Sequence, residues 1–483
     1  MRQHFAVLAA LACTAAPLTI RADEPQLPTE AAAALAKATD FFVNKVSAEG
    51  GYLWRYSEDL SRGEGEGKAS STTVWVQPPG TPTVGMAFLD AYRRTGEGYC
   101  LDAARKAGYC LARGQLRSGG WDYRIEFDPK SRSRYAYRVD AEGDAASRRN
   151  TSTLDDNTTQ AALRLLMELD RALDFQDRRI HEAAEYALAA LLAAQYPNGA
   201  WPQRFDEPPD AAKHPVKRAS YPESWSRTFP SDDYKGYYTF NDNALADVID
   251  VMFIAAGIYG DSRYRAAAEK GGDFMLLAQM PQPQPGWAQQ YDADMHPAWA
   301  RKFEPPSITG GESQGVMLAL LQVYRHTGDK KYLEPIPQAV EYYRKSLLDR
   351  GQLARFYELE TNRPLYFTKD YQLTYSDADM PTHYAFKVGQ KLDRIEDEYR
   401  RLLAAKPEDL IAKPGVRKTA SRPSERMISE VEKVIGAMDE RGAWAEAGSL
   451  RYDDPERPTR RIIDCRTFIA NVNLLSQYLA ATE

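Results

Sequence analysis

The sequence predicts an all-α protein, an (α/α) toroid of helical hairpins whose long loops form one cleft. Three observations support this prediction. Alanine-rich segments carry apolar residues at helical spacing, loops are rich in Gly, Pro, Tyr and Trp, and one turn recurs after successive helices. With 483 residues, 43% hydrophobic and 27% charged, the chain is long enough to bury a large core.

The recurring turn combines glycine with an aromatic residue, and its copies lie roughly 70 to 90 residues apart. A period of this length, built from helix pairs, is typical of a solenoid or a closed ring, and open tetratricopeptide solenoids have shorter repeats. Chance recurrence is the alternative, and the position of each copy at a helix end counts against it. The aromatic residues of the six copies are Trp54, Trp121, Trp201, Trp287, Phe356 and Trp444.

Helices are predicted on both sides of these turns. Residues 180–195 have apolar side chains at helical spacing and end just before Pro197 and Gly199, as expected of a helix terminus. Similar segments precede other turns, and a second helix follows most turns after a polar loop. These further helices are predicted at 157–173, 242–259, 271–280 and 332–348.

The first 22 residues have the pattern of a signal peptide. Arg2 gives a positive start, residues 5–18 are apolar, and Ala22 is a small residue suited to cleavage. A buried first helix is the alternative. We therefore expect a secreted or periplasmic protein whose residues 23–390 form the catalytic toroid. Residues 391–483 are predicted to add a charged connection and a closing helical segment of the same toroid.

Cysteine usage and net charge narrow the class of protein. Cleavage after residue 22 removes Cys13 and leaves three cysteines, an odd number that excludes a complete disulfide framework. Cys100 and Cys110 either pair or are buried as small apolar residues. A formal net charge of -6 argues against nucleic acid as the main partner, although local arginines can still bind an anionic substrate. We expect a monomer without a membrane span.

Two loop–helix junctions are rich in Ser, Thr, Asp and Asn, at residues 151–159 and 237–244. Helix N-capping is the simpler interpretation of each junction, because these residue types are preferred there. The two junctions together, however, supply the oxygen ligands that Ca²⁺ takes, about six to eight in number. Since no EF-hand spacing is present, such a site has to be assembled from separate loops and completed by substrate.

Basic and aromatic residues alternate in two other stretches, at residues 299–307 and 353–364. Arginine binds carboxylates through two parallel hydrogen bonds, and aromatic rings stack on sugars. Surface ion pairs beside core aromatic residues are an equally good interpretation of each stretch alone. Acidic and basic loops together indicate an acidic polysaccharide bridged by a cation. The sequence contains no nucleophile elbow, P-loop or HExxH motif.

Four long motifs resemble those of the pectate lyases of polysaccharide lyase family ten. They occur in the order of the family and cover residues 151–371. The motifs are QYPNGAWPQ at 195–203, TFNDNA at 239–244, AWARKFEPPS at 298–307 and ARFYELETNRP at 354–364.

This resemblance implies an (α/α) toroid that cleaves polygalacturonate by Ca²⁺-assisted β-elimination. By position in the motifs, Asp156 and Asp242 correspond to cation ligands, Arg301 to the catalytic base and Arg355 to an arginine that binds the substrate carboxylate. We add Asn157 to the predicted cation ligands. Substrate binding is further predicted for Lys302, Trp201, Lys235, Asn362 and Arg363.

An arginine base is chemically demanding, because the guanidinium pKa exceeds 12 under reference conditions. The resemblance therefore requires burial and neighbouring positive charge, from Lys302 and bound Ca²⁺, to lower the pKa of Arg301. The sequence also departs from the family. Residues 287–292 read WAQQYD where the family has WCAQHD, residues 156–160 read DNTTQ against DNxAT, and an insertion lies between 203 and 237.

Three alternatives stay open. The substrate polymer is another uronate polysaccharide, or the protein is a toroidal glycoside hydrolase with Asp242 and Glu304 as paired carboxylates. The third alternative is a non-catalytic protein that binds oligosaccharides. The presence of both Arg301 and Arg355 argues against this last alternative.

Overall fold

Long helices joined by loops with short strands form the computed structural model of the chain, which describes residues 26–140, 147–231, 233–234, 236–406, 410 and 422–482. The predicted signal peptide lies outside these residues. The helices of ten or more residues are α1 (Gln26–Phe41), α2 (Thr81–Thr95), α3 (Gly98–Arg113), α4 (Thr158–Ala172), α5 (Arg178–Ala194), α6 (Ala244–Tyr259), α7 (Ser262–Leu277), α8 (Glu312–Thr327), α9 (Ile336–Lys345), α10 (Leu392–Ala404), α11 (Glu425–Ala437) and α12 (Cys465–Thr482).

Local sequence explains where several of these helices begin and end. Asp177 precedes α5 and its carboxylate accepts a hydrogen bond from the amide of Ile180, while Asp261 does the same for the amide of Arg263 at the start of α7. Such caps satisfy amides that have no partner within the helix. At the other end, a left-handed glycine follows α2, α6 and α8, as is common at helix C-termini. These glycines are Gly96, Gly260 and Gly328.

The helices predicted at 157–173, 180–195 and 242–259 are confirmed as α4, α5 and α6, with ends that agree to about two residues. The prediction at 271–280 covers only the end of α7. The prediction at 332–348 was too long, because α9 starts beside Pro335 and ends at Lys345.

Successive hairpins pack side by side in a ring. The hairpins are α2 with α3, α4 with α5 and α6 with α7. Their first helices α2, α4 and α6 each contact the next, and α6 also contacts α8. Helix α10 continues the series by packing on α8, and α12 packs on both α1 and α2. The fold is the (α/α) toroid that the sequence predicts.

Short antiparallel strands connect the loops at one end of the hairpins. The strands are β1 (Arg55–Ser57), β2 (Gly63–Glu64), β3 (Thr73–Trp75), β4 (Arg124–Glu126), β5 (Ser152–Thr153), β6 (Arg204–Phe205), β7 (Tyr238–Thr239), β8 (Gln290–Tyr291), β9 (Ile308–Thr309), β10 (Gln352–Ala354), β11 (Phe356–Tyr357), β12 (Pro364–Phe367), β13 (Leu373–Thr374), β14 (Lys387–Gly389), β15 (Ala445–Ala447) and β16 (Arg461–Asp464).

The pairing of these strands repeats around the ring. In each hairpin, the strand before the first helix pairs with the strand after the second, as β3 does with β4, β5 with β6, β7 with β8, and β9 with β11. The junctions between strands and first helices therefore lie at one end of the ring, which we call the rim.

The recurring aromatic turn has one structural role in four of its copies. The tryptophan side chain is buried, and its indole Nε1 donates a hydrogen bond of 2.8 Å to a carbonyl in the last turns of the preceding outer helix. Such a bond satisfies a carbonyl at the end of the helix that otherwise has no amide donor within the helix, or shares its donor with a neighbouring carbonyl. The pairs are Trp121 with Leu111, Trp201 with Leu191, Trp287 with Met275, and Trp444 with Val434.

The other two copies of the turn occur at different residues from those predicted. Tyr52 and Leu353, rather than Trp54 and Phe356, occupy the position of Trp287. The hydroxyl of the tyrosine four residues further on accepts a hydrogen bond from the intervening backbone in all three copies. The donor amides belong to Leu53, Ala288 and Ala354, and the acceptors are Tyr56, Tyr291 and Tyr357.

Cys100, Cys110 and Cys465 are buried free thiols, which confirms the interpretation of Cys100 and Cys110 as small core residues. Within the described part of the chain, no helix combines the length and the apolar character required to cross a membrane.

Candidate active site

The candidate active site begins with three carboxylates at the rim. Asp155, Asp156 and Asp242 place carboxylate oxygens within 4.8 Å of one another, and we call them the acidic cluster. Asp155 and Asp156 follow β5, and Asp242 follows β7 in the next hairpin. The cluster thus joins side chains that are far apart in sequence, because neighbouring hairpins present the same junction side by side.

The two junctions have the same backbone conformation. Asp156 (φ 50°, ψ 33°) and Asn157 (φ 57°, ψ 29°) are left-handed, and so are Asp242 (φ 49°, ψ 32°) and Asn243 (φ 57°, ψ 17°). Asn and Asp adopt this conformation more readily than other residues with a Cβ, although at some energetic cost. Two consecutive left-handed residues, repeated in two hairpins, indicate a geometry that is maintained for function.

The electrostatics of the acidic cluster are unfavourable without a counterion. Burial, followed by repulsion from Asp155 and Asp242, raises the pKa of Asp156 to about 7. Burial and the charge of Asp155 also raise the pKa of Asp242, although Arg301 and Arg355 oppose this shift. Each shift has the direction expected for like charges in a partly desolvated place.

These residues fit a hard divalent cation. Carboxylate and carboxamide oxygens are the ligands that Ca²⁺ takes. The Oδ1 atoms of Asp155 and Asn157 are both buried and accept no hydrogen bond from the described residues. The structure therefore brings the predicted ligands Asp156 and Asp242 together and adds Asp155, which the prediction omitted although it stands next to Asp156 in the sequence.

Arg301 occurs in a state that the sequence did not predict. Its Nε donates to Oε2 of Glu304 at 2.9 Å and its Nη2 to Oε1 at 2.5 Å, while the Arg301 amide also donates to Oε2. Burial lowers the pKa of Arg301, but the hydrogen bonds and charge of Glu304 outweigh it and raise the pKa above its ordinary value. The expectation of a lowered pKa is therefore wrong for this arrangement.

Lys302 does not provide the positive charge expected beside Arg301. Its ammonium group lies 3.5 Å from the centre of the Tyr371 ring, and the residue is exposed. Arg301 bonds to Glu304, whereas Lys302 contacts Tyr371. Lys235, also predicted to bind substrate, lies outside the described residues.

Arg355 is the second arginine at the rim. Its Nη1 donates to Glu312 Oε1 at 2.8 Å and to the Tyr384 hydroxyl at 3.1 Å, and its Nε donates to the carbonyl of Ala385. The Glu312 side chain is only 7% exposed, and burial raises its pKa despite Arg355. One positive charge thus lies beside one buried acid.

Tyr384 links the two arginines. Its hydroxyl donates to Glu304 Oε1 at 2.9 Å and accepts from Arg355, and both guanidinium groups lie over its ring, at 5.5 Å for Arg301 and 4.6 Å for Arg355. No motif identified in the sequence includes Tyr384 or Glu312. The only signal available was the aromatic and charged character of their surroundings.

Three of the predicted substrate-binding residues have other contacts. Trp201 is 2% exposed and caps α5, so it has no free face for a sugar ring. Asn362 donates to Ser346 and accepts hydrogen bonds from the Tyr342 hydroxyl and from Gln284, which places its amide inside a loop. Arg363 lies over the ring of Tyr375. The structure does not bring these three side chains to the acidic cluster.

Two depressions contain the residues of the rim. One, of about 210 Å³, is lined by Asp155, Arg301 and Glu304 together with Arg204 and Tyr234. The other, of about 400 Å³, is lined by Asp242, Glu312 and Arg355 together with Gln390 and Lys391. A polymer lying along the rim would therefore meet carboxylates and arginines in both depressions. A further depression, of about 420 Å³, lies around Tyr56 and Tyr452 and contains no residue of the acidic cluster.

The geometry also bears on the glycoside hydrolase alternative. A general acid of such an enzyme needs a raised pKa. Although burial alone would raise it, the hydrogen bonds and charge of Arg301 lower the pKa of Glu304. Glu304 is thus not poised as a general acid, and its carboxylate is already paired with Arg301.

Residues 115–350 match the family described as pectic acid lyase. The predicted resemblance is confirmed over this part of the chain, which contains the first three motifs, and so is the enzyme class of lyase. A comparison with curated proteins found no match.

Similar solved structures include a mutant of the family 10 polysaccharide lyase from Cellvibrio cellulosa in complex with trigalacturonic acid, at 21% identity over 66% of this chain and 98% of that chain, with a TM-score of 0.45. The chain is also similar to cellobiose 2-epimerase from Bacillus thermoamylovorans, at 12% identity over 94% of this chain and 99% of that chain, with a TM-score of 0.46.

Proposed function

We propose that this chain, which belongs to the pectic acid lyase family through residues 115–350, cleaves polygalacturonate by Ca²⁺-assisted β-elimination. Three carboxylates whose negative charges repel one another, with a raised pKa at Asp242, lie on the same rim as two arginines. This convergence is the observation that carries the proposal. A hydrolase would need a free acid and base, and a neutral sugar would need neither arginine.

β-Elimination makes defined demands on the site. The proton at C5 of a uronate goes to a base, the electrons of the C5–H bond form the C4–C5 double bond, and the C4–O bond breaks with its electron pair staying on oxygen. That oxygen then takes a proton from water and becomes the hydroxyl of the new chain end. The products are a 4,5-unsaturated uronide and a new chain end. The difficult part is the negative charge that develops beside a carboxylate, and fixed positive charge stabilises it.

Asp155, Asp156 and Asp242, with Asn157, would hold the cation. Ca²⁺ when bound supplies charge neutralisation at the substrate carboxylate, which makes the C5 proton more acidic. Arg355 can offer its Nη2 group to a carboxylate, because its Nε and Nη1 already donate to Ala385, Glu312 and Tyr384. Glu312 and Tyr384 hold its guanidinium in place before substrate arrives.

The proposal assigns the C5 proton to Arg301. This assignment requires the guanidinium to leave Glu304, because that ion pair keeps the pKa of Arg301 high. A cation bound beside the arginine would lower this pKa, because a nearby positive charge disfavours the protonated guanidinium. We also propose export of the mature protein from residue 23, on the pattern of residues 1–22, since a polysaccharide of this kind lies outside cells.

The test is to incubate the purified protein with polygalacturonate at alkaline pH, in Ca²⁺ or in EDTA, and to follow the ultraviolet absorbance of the unsaturated uronide. A Ca²⁺-dependent rise supports the proposal, and Arg301→Ala should abolish it. New reducing ends without absorbance would contradict elimination. Elimination of a glucuronate or mannuronate polymer, but not of polygalacturonate, would retain the chemistry and overturn the substrate.

A further inference from the structure

Gln77 reaches the acidic cluster from outside the part of the chain that matches the family, residues 115–350. It follows β3 by the same number of residues as Asp155 follows β5 and Asn241 follows β7. The repeat thus places Gln77 at the rim, one hairpin before the acidic cluster. Its side chain is buried, with the residue 5% exposed.

The hydrogen bonds of Gln77 determine which way its amide faces. The Trp75 indole Nε1 donates to Gln77 Oε1 at 3.0 Å, and Gln77 Nε2 donates to Asp156 Oδ2 at 2.8 Å. An indole nitrogen can only donate, so Oε1 must face Trp75 and the NH₂ group must face the carboxylate. Trp75 is itself buried, at 3% exposed, and holds this orientation.

Asp242 has an equivalent support. Asn241 Nδ2 donates to Asp242 Oδ2 at 2.5 Å, and Gln289 Nε2 donates to Asn241 Oδ1 at 3.1 Å. In both hairpins, therefore, a second side chain, Trp75 or Gln289, donates to a carboxamide and so orients it. The carboxamide in turn donates to one oxygen of an aspartate with a left-handed backbone. The two supports come from different parts of the chain, since Gln77 lies 79 residues before Asp156 while Asn241 adjoins Asp242.

We propose that Gln77, oriented by Trp75, is a positioning residue for Asp156. The inference rests on the proposed function, in which Asp156 is a cation ligand. A carboxamide fixes one carboxylate oxygen and leaves the other for the acidic cluster. Because the carboxamide is neutral, it leaves intact the negative charge that attracts a cation, whereas an arginine in its place would cancel that charge.

A purely structural role is the competing explanation, in which Gln77 only satisfies the buried Trp75 indole. The two roles differ in what a variant changes. Loss of a structural contact lowers stability and leaves cation affinity alone. Loss of a positioning contact weakens cation binding in a folded protein, typically by roughly 10- to 100-fold.

The test uses Gln77→Met, which keeps the length of the side chain and removes the amide. Gln195→Met is the control, because Gln195 is a half-buried glutamine whose amide donates to the carbonyls of Gly199 and Ala267, away from the acidic cluster. Ca²⁺ affinity is measured by calorimetry on the full mature chain, and kcat and KM are measured over a Ca²⁺ series. Circular dichroism checks the fold.

We expect Gln77→Met to weaken Ca²⁺ binding by roughly 10- to 100-fold, with kcat largely restored at high Ca²⁺, and Gln195→Met to change it by less than about 2-fold. Trp75→Phe removes only the donor that orients Gln77, so it should also weaken Ca²⁺ binding, but by less than Gln77→Met. If Gln77→Met does not fold, the Ca²⁺ affinity of Trp75→Phe is the test. An unchanged Ca²⁺ affinity in folded variants overturns the positioning role of Gln77 but not the proposed function. A parent protein that binds no Ca²⁺ overturns the inference together with the proposed cation site.

Discussion

The acidic and the basic halves of the rim differ in how far their charges are compensated. In the acidic half, Asp155, Asp156 and Asp242 face one another, and burial together with repulsion between these charges raises the pKa values of Asp156 and Asp242. In the basic half, Arg301 is paired with Glu304 and Arg355 with Glu312. The acidic half therefore needs a partner from outside, whereas the basic half already has one for each arginine.

This contrast indicates what has to happen on binding. A cation entering the acidic half relieves repulsion, and it competes mainly with neutral donors, the Tyr123 hydroxyl and the amides of Gln77 and Asn241. A substrate carboxylate entering the basic half has to compete with buried glutamates for the same donors. The contrast predicts that cation binding and substrate binding respond differently to mutation and to pH.

The largest effect is expected where the acidic half loses a ligand. Asp242→Asn keeps the shape of the side chain and removes a charge from the cluster, so kcat/KM should fall by roughly 100- to 1,000-fold. Initial rates on polygalacturonate in saturating Ca²⁺ measure it. Asp261→Asn, at an exposed helix cap, is the matched control. A loss of similar size in the control, or none in Asp242→Asn, would contradict the assignment.

Next in size is the effect of separating an arginine from its acid. Glu304→Gln removes the charge that raises the pKa of Arg301, so that pKa should fall. If Arg301 takes the C5 proton, the alkaline rise of kcat/KM should move to lower pH by about one unit or more. The pH profile of the variant measures this shift. Glu341→Gln, on an exposed surface pair with Lys345, should leave the profile in place.

A smaller effect concerns stability and pH in the acidic half. Asp156 has a pKa of about 7 in the folded protein and 3.8 as the ordinary value. Between these values the folded protein holds more protons than the unfolded chain, so stability in EDTA should fall as pH rises from about 4 to about 7. Ca²⁺ should raise the melting temperature most above pH 7, where Asp156 is ionised. Thermal melts with and without Ca²⁺ measure both trends, and Asp156→Asn should flatten them.

The smallest effect distinguishes the rim from the repeated turn beneath it. Trp201→Phe removes the hydrogen bond to Leu191 and should lower the free energy of unfolding by about 1 kcal/mol, plus a packing cost. The KM for polygalacturonate should change by less than about 2-fold. Denaturant unfolding and steady-state kinetics measure the two quantities. A large rise in KM in a stable variant would return Trp201 to the substrate site.

Sequence patterns were sufficient for the ring and for half of the site. Helical periodicity and the recurring turn predicted the hairpins, because both express local geometry. The prediction placed two copies of the turn at Trp54 and Phe356, whereas the structure has them at Tyr52 and Leu353. These two positions were missed because they do not hold the tryptophan that marks the other copies. Asp156 and Asp242 were predicted because each corresponds to a cation ligand in the motifs of the resembled family and lies at a polar loop–helix junction.

The rest of the site depended on contacts that no local pattern contains. Gln77 meets Asp156 across 79 residues, and Tyr384 meets Glu304 across 80. The expectation of a lowered pKa for Arg301 relied on a bound Ca²⁺ and on its neighbour in sequence, Lys302. Its neighbour in space is Glu304, and the direction of the pKa shift followed from that contact instead.

The closing contacts of the ring have a consequence for how the protein forms. Helix α12 packs on α1 and α2, β16 pairs with β1, and Cys465 Sγ lies 3.0 Å from the carbonyl oxygen of Leu53. During synthesis α1 and α2 leave the ribosome first and α12 last among the described helices. The surfaces of α1 and α2 that pack on α12 therefore stay uncovered until almost the whole chain is made, and during this interval they are exposed to aggregation.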